Sequence, residues 1–254
     1  MNTERASQQA FLGVSALLFT ASTAGTIIWC ASMSGGMPMT GGWTMSMAWM
    51  RMPGQTWPGA AASFLAMWVL MMVAMKLPSL VPMLWRCRES VARQGGTRLG
   101  RLTALVGVGY FFVWTMIGMA AFPLGIALAD AEMQHPALAR AVPIAAGVVV
   151  LLAGAFQFSA WKARHLACCR ACRALPTDAG SAWRQGLRLG LHCSQCCAGL
   201  MSILLVIGVM DLRAMAAVGA AITAERLAPA GERVARATGA VAIAAGLVLV
   251  ARAV

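Results

Sequence analysis

A chain of 254 residues in which 60% are hydrophobic and only 11% are charged does not match a soluble domain, where charged residues make up roughly a quarter. A soluble fold of this size cannot hide so much apolar surface, whereas a bilayer can. The net charge of +12 reads as loops that meet anionic headgroups and fix orientation, rather than as a nucleic-acid footprint.

In chain order, seven apolar segments stand out, near 11–32, 60–83, 102–129, 141–161, 190–210, 211–225 and 236–253. Lipid leaves backbone polar groups unsatisfied, so each segment that crosses is a helix. The expected fold is all-α, a polytopic transmembrane bundle of six to seven spans forming one membrane domain over 1–254. The first run is too long for the apolar core of a signal peptide and has no small-residue cleavage site, so it reads as a retained span. The sixth is the weakest, because Ala214 to Thr223 lie between Asp211 and Glu225. It spans, half-spans or re-enters. The longest loops are 33–57, rich in Met, and 162–189, rich in Cys and Arg.

Lys and Arg placement sets the expected orientation. With the N-terminus inside, 15 fall on the cytosolic side, among them Arg86, Arg88, Lys162, Arg170 and Arg226. Four fall outside: Arg51, Arg140, Arg213 and Arg252. That bias favours N-in in a cytoplasmic membrane. A seventh span then puts the C-terminus outside.

Six of the eight cysteines form two strings, Cys168-Cys169-Arg170-Ala171-Cys172 and Cys193-Ser194-Gln195-Cys196-Cys197. The first closes the cytosolic end of the fourth segment and the second opens the fifth. Helical spacings of three and four residues align His165, Cys168, Cys169 and Cys172, and likewise Cys193, Cys196 and Cys197, with His192 joining the latter face. A reducing cytosol disfavours disulfides. Small thiols that merely pack helices are the bland alternative. Paired Cys strings that meet in space point instead to a metal site. A Cys and His set suits Zn(II), and a thiolate-rich one Cu(I). Cys30 and Cys87 are isolated and receive no role.

Seven of the 19 methionines crowd the outer loop and its edge: Met33, Met37, Met39, Met45, Met47, Met50 and Met52. Thioether sulfur is a soft Cu(I) ligand, so these residues are candidates for metal capture. The competing reading is a lipid-dipping loop anchored by Trp43, Trp49 and Trp57. The second segment carries a helical stripe of Met67, Met71 and Met75, read either as core packing or as a metal relay.

Charges within or near spans read as structural. Lys76 is expected to reach the cytosolic headgroups. Asp211 pairs with Arg213 or caps the next helix, Glu225 ends one, and Gln157 bonds across helices. No Ser-His-Asp set, phosphate-binding glycine loop or metalloprotease His pair is present, so no enzyme is expected.

Several stretches carry a family resemblance. They are Met67-Trp68 through Met71-Met72 to Met75-Lys76, Pro78 and Ser79, then Gly109-Tyr110 with Val113-Trp114. Ala155-Phe156-Gln157 follows, through Lys162 to Cys169-Arg170. The fullest is Gly190, His192-Cys193 and Cys196-Cys197, followed by Gly208, Met210-Asp211 and Ala224-Glu225-Arg226. Over about residues 60–250 the chain resembles the predicted metal-binding integral membrane proteins, domain of unknown function 2182. The chain departs from that pattern at Lys76 (usually Met), His165 (a first Cys), Phe156 (often Tyr), Ala198 (often Trp) and Asp211 (often Asn). The resemblance implies metal binding in a bacterial inner membrane.

Taken together, the expectation is a multi-pass protein that binds a soft metal, Cu(I) ahead of Zn(II), for copper trafficking or homeostasis. Cys169, Cys193, Cys196 and Cys197 are the leading ligands, with Cys168, Cys172, His165 and His192 in reserve. Expected partners are the lipid bilayer and a metallochaperone or larger membrane complex, not nucleic acid. Two alternatives stay open: an assembly subunit with a Zn(II)-clamped helix pair, and a membrane thiol-disulfide oxidoreductase.

Overall fold

The computed structural model describes residues 2–33, 36–39, 42–51, 54–92, 99–171 and 178–253. It is all-α apart from one short hairpin. The helices are α1 (Asn2–Ser32), α2 (Trp57–Ala92), α3 (Leu99–Gln134), α4 (Pro136–Phe156), α5 (Ala160–Arg170), α6 (Ala179–Ile207), α7 (Leu212–Leu227) and α8 (Gly231–Ala253). Six of the eight, all but α5 and α7, are long and apolar enough to cross a membrane.

Between α1 and α2 the chain forms the hairpin β1 (Gly36–Pro38) and β2 (Thr44–Ser46), with Met37 opposite Met45. A 3-10 turn follows over Met47–Trp49, opened by Ser46, whose hydroxyl accepts from Ala48 N–H. The loop tryptophans are not a uniform set of interfacial anchors. Trp43 donates to the Ala139 carbonyl at 2.9 Å, Trp49 lies tilted against Phe64 with ring centroids 5.2 Å apart, and Trp57 is exposed.

The bundle has two distinct ends. At one, Cys30 of α1 lies 3.8 Å from Met210 in the α6–α7 turn, and the hairpin rests on the start of α4. At the other, Gln157, just after α4, and Lys162 of α5 both donate to the Glu225 carboxylate of α7. α8 then returns antiparallel to α4, with Gly239 against Gly154 and Gly246 against Gly147. Thus α7, though only 16 residues and about 24 Å long, runs from the Cys30 end to the Gln157 end.

Close packing rests on paired glycines. A methyl group on Gly186 of α6 would sit 2.4 Å from the Val106 carbonyl of α3, and one on Gly109 would sit 2.8 Å from the Trp183 carbonyl. Small residues at such crossings let helix backbones approach, which is how helices associate in lipid, where burial of apolar surface gives no drive.

Two sequence expectations change here. The run expected over 141–161 divides, because the turn at 157–159 breaks the helix and Ser159 caps a new one by accepting from Lys162 N–H. The first cysteine string therefore sits on the separate helix α5. The fifth segment begins at Ala179 rather than 190, because Asp178 caps it by accepting from Ser181 N–H. The second string consequently lies in mid-helix, inside the bundle, rather than at a helix mouth.

Candidate metal centre

α5 and α6 pack side by side, and their cysteines converge where α4 ends. Cys193, Cys196 and Cys197 are 0%, 1% and 1% exposed, and Cys169 is 2% exposed. All four are free thiols. The i, i+4 spacing brings Cys193 Sγ and Cys197 Sγ to 3.7 Å. The Cys196 thiol contacts both Cys197 and Cys169, so it links the two helices. Tyr110 of α3, fully buried, closes the cluster with its hydroxyl 2.9 Å from Cys193 Sγ.

The reserve set divides. His165 and His192 face each other with Nδ1 atoms 3.2 Å apart, a half-buried pair across α5 and α6. Burial, with His192 and Arg164 nearby, holds His165 below the usual imidazole range. Cys168 is exposed and turned from the cluster, so the expected alignment of Cys168 with Cys169 is corrected: neighbours on a helix point about 100° apart. Cys172 lies outside the described residues. Among those described, no group of three or more Cys, His, Asp and Glu is arranged as a ready metal shell. The thiols are neighbours rather than a closed coordination sphere. Cys87, expected to be isolated, is buried and disulfide-bonded, and so stands apart from the free thiols.

The charges around the cluster could not be located from sequence. Lys162 counted among the cytosolic-side cations, but it is 1% exposed. Its ammonium is 2.6 Å from Glu225 Oε2 and donates to the Cys196 carbonyl at 2.8 Å. Gln157 donates to the other Glu225 oxygen at 3.1 Å, as an inter-helix bond was expected to do. Asp211 caps α7, accepting from the Arg213 and Ala214 amides.

Lys76 does not reach the headgroups. It is fully buried, with Nζ 4.5 Å from the Trp114 ring centroid and 3.6 Å from Met201 Sδ. Arg226, also counted among cytosolic charges, turns inward at 6% exposure and donates to Ser79 Oγ at 3.0 Å. Arg226 lies within electrostatic reach of Cys193, Tyr110, Cys169 and Cys197, and Lys76 within reach of both Cys193 and Glu225. Among the described residues, neither cation has a carboxylate within ion-pair distance, and Arg226 Nη2 has no hydrogen-bond partner. A buried cation without a counter-charge is costly. The Cys193 thiol is a group within reach of both cations that can become an anion.

Methionine sulfur fills the length between the ends. Met67, Met71, Met72 and Met75 of α2 are all buried, as is Met215 of α7. Of the outer set, Met45 is buried and Met37 exposed across the hairpin, Met39 is half-buried, and Met33, Met47 and Met50 border one small cavity. Met52 lies outside the described residues.

No curated protein and no solved structure shows significant similarity to the chain. A model of the PpoB2 family, described as copper chaperones, matches residues 65–249. That range contains α6, α7, Lys76 and the four thiols of the cluster. It covers well over half of the sequence, and the protein is a member of the PpoB2 copper chaperone family.

Proposed function

We propose that this membrane protein carries Cu(I) as cargo on thiolates drawn from Cys169, Cys193, Cys196 and Cys197, and passes it to an acceptor on the same side of the membrane. The observation that carries this reading is the convergence of four buried free thiols on α5 and α6, with Cys193 and Cys197 Sγ 3.7 Å apart and the buried Arg226, held by Ser79, close by. Metal binding deprotonates thiols. Cu(I) on three thiolates has a net charge of −2, which one lysine and one arginine neutralise. Soft sulfur is the donor that selects Cu(I), and membership of a copper chaperone family fits that metal.

Cys168 is the one exposed cysteine among the six described free thiols. It sits next to Cys169, where an acceptor's thiolate can arrive and exchange ligands. No nucleotide is needed, because each transfer step makes one copper–sulfur bond as another breaks. The bilayer is one partner, and a soluble copper acceptor or a larger complex is the other.

The test is Cu(I) titration of the purified protein without oxygen, against a colorimetric chelator. The C193S/C197S variant is expected to lose the copper equivalent that competes most strongly with the chelator, and R226Q to weaken it. Unchanged copper retention in C193S/C197S overturns the reading.

A further inference from the structure

At the Cys30 end, far from the thiolate cluster, five methionines from separate parts of the chain border a cavity of about 30 Å3. Met33 comes from the end of α1, Met47 and Met50 from the 3-10 turn and its edge, Met67 from α2, and Met210 from the α6–α7 turn. Behind Met210, the buried thiol of Cys30 lies 3.8 Å from its Sδ. The aromatic rings of Phe64 and Phe122, 5.0 Å apart, border the same space.

We propose that this cavity is a second Cu(I) site, built mainly from neutral thioethers, through which cargo reaches the bundle. It extends the reading given above by adding an entry at the opposite end. Methionine is flexible and ordinarily collapses to fill irregular gaps, and protein interiors keep few voids. Here five methionines border a small space without filling it, together with aromatic residues and the polar Gln55 and Ser63. A space of this size suits an ion or a few waters and is far below the roughly 300–1,000 Å3 of pockets that hold organic ligands. Soft thioethers select Cu(I) over hard cations. They release no proton on binding, so a site without buried carboxylates or cations stays electrically simple as the ion arrives.

The position of Met67 gives the site an outlet. It borders the cavity and also heads the i, i+4 stripe that continues through Met71 to Met75. Met75 lies against Gly219 of α7. Twelve residues of α2, about 18 Å, separate Met67 from Ser79, which holds Arg226 beside the thiols.

The test uses full-length protein labelled with selenomethionine and loaded anaerobically with Cu(I). Copper-edge X-ray absorption then reports copper–selenium neighbours directly. The C169S/C193S/C196S/C197S variant removes the thiolate cluster. It is expected to keep one copper equivalent with copper–selenium scattering. Loss of all copper from that variant overturns the second site while leaving the thiolate site standing. Copper content equal to wild type in that variant, together with copper–selenium scattering, removes the thiolate reading and retains this one. The conservative M47L/M210L variant, whose volumes hardly change, serves where the fourfold variant fails to fold. It is expected to lose one equivalent and its selenium signal. An unchanged signal and stoichiometry in M47L/M210L overturn the proposal.

Discussion

Lys162 and Glu225 are each 1% exposed and 2.6 Å apart. Gln157 binds the second carboxylate oxygen and the Cys196 carbonyl shares the ammonium, so the pair ties α5, α6, α7 and the end of α4 into one node. Removing one member of such a pair leaves the other buried and uncompensated, at about 3–5 kcal/mol. E225Q is therefore expected to lower the melting temperature in detergent strongly. The K162M/E225L double variant, which removes both charges, is expected to melt closer to wild type. Tryptophan fluorescence during heating measures both. The second cysteine string was legible at this scale because its spacing predicts the shared face of Cys193 and Cys197, whereas in the first string Cys168 is exposed and Cys169 buried. The charges were not. Positive-inside reasoning assigns a cation by its place in the sequence, and nothing local distinguishes Arg226, which turns inward to Ser79, from Arg233 one helix later. Only the packing of α7 on α2 makes that difference.

At the scale of elements, apolar run length identified the long helices, because hydrocarbon thickness sets span length independently of tertiary contacts. Breaks and starts were harder to read. Ser159 and Asp178 act as caps through single hydrogen bonds, and those two residues moved the first string onto its own helix and the second into mid-helix. The contact between α3 and α6 offers a direct check on packing. G186A places a methyl group against the Val106 carbonyl and is expected to destabilise by about 1–3 kcal/mol, the usual range for overpacking. G107A is the matched control on α3, where a methyl group meets nothing within 4 Å. Its better helix propensity is expected to leave stability equal or slightly higher. Thermal melts of the two variants side by side decide the matter.

For the whole molecule, the path of α7 fixes where the chain ends. α7 traverses from the Met210 end to the Glu225 end, and α8 returns along α4. The C-terminal end of α8 therefore lies at the end opposite the thiol cluster, despite six rather than seven helices having the length and apolarity of a span. With the N-terminus in the cytosol, a reporter fused to the C-terminus is expected to be active only outside it. A cytosol-active C-terminal reporter would show that α7 turns back. Sequence could not decide this, because a 16-residue helix between Asp211 and Glu225 is too short and too flanked by charge for hydropathy to rank it as a span. Its capacity to traverse comes from enclosure on one side, where Met215, Val218 and Ile222 pack inward, and from carboxylates that are already satisfied within the protein.

The unpaired cations have a consequence for the life of the protein in a cell. Among the described residues, Lys76 and Arg226 make no ion pair with a carboxylate; under the proposed function, loading would add negative charge near them. A ligand that binds only the folded form raises its stability by mass action, and here relief of the stranded charge adds to that gain. The carrier without cargo is then the form that quality-control proteases degrade first. Its abundance would track copper supply with no dedicated sensor, the degradation machinery reading the metal through the fold.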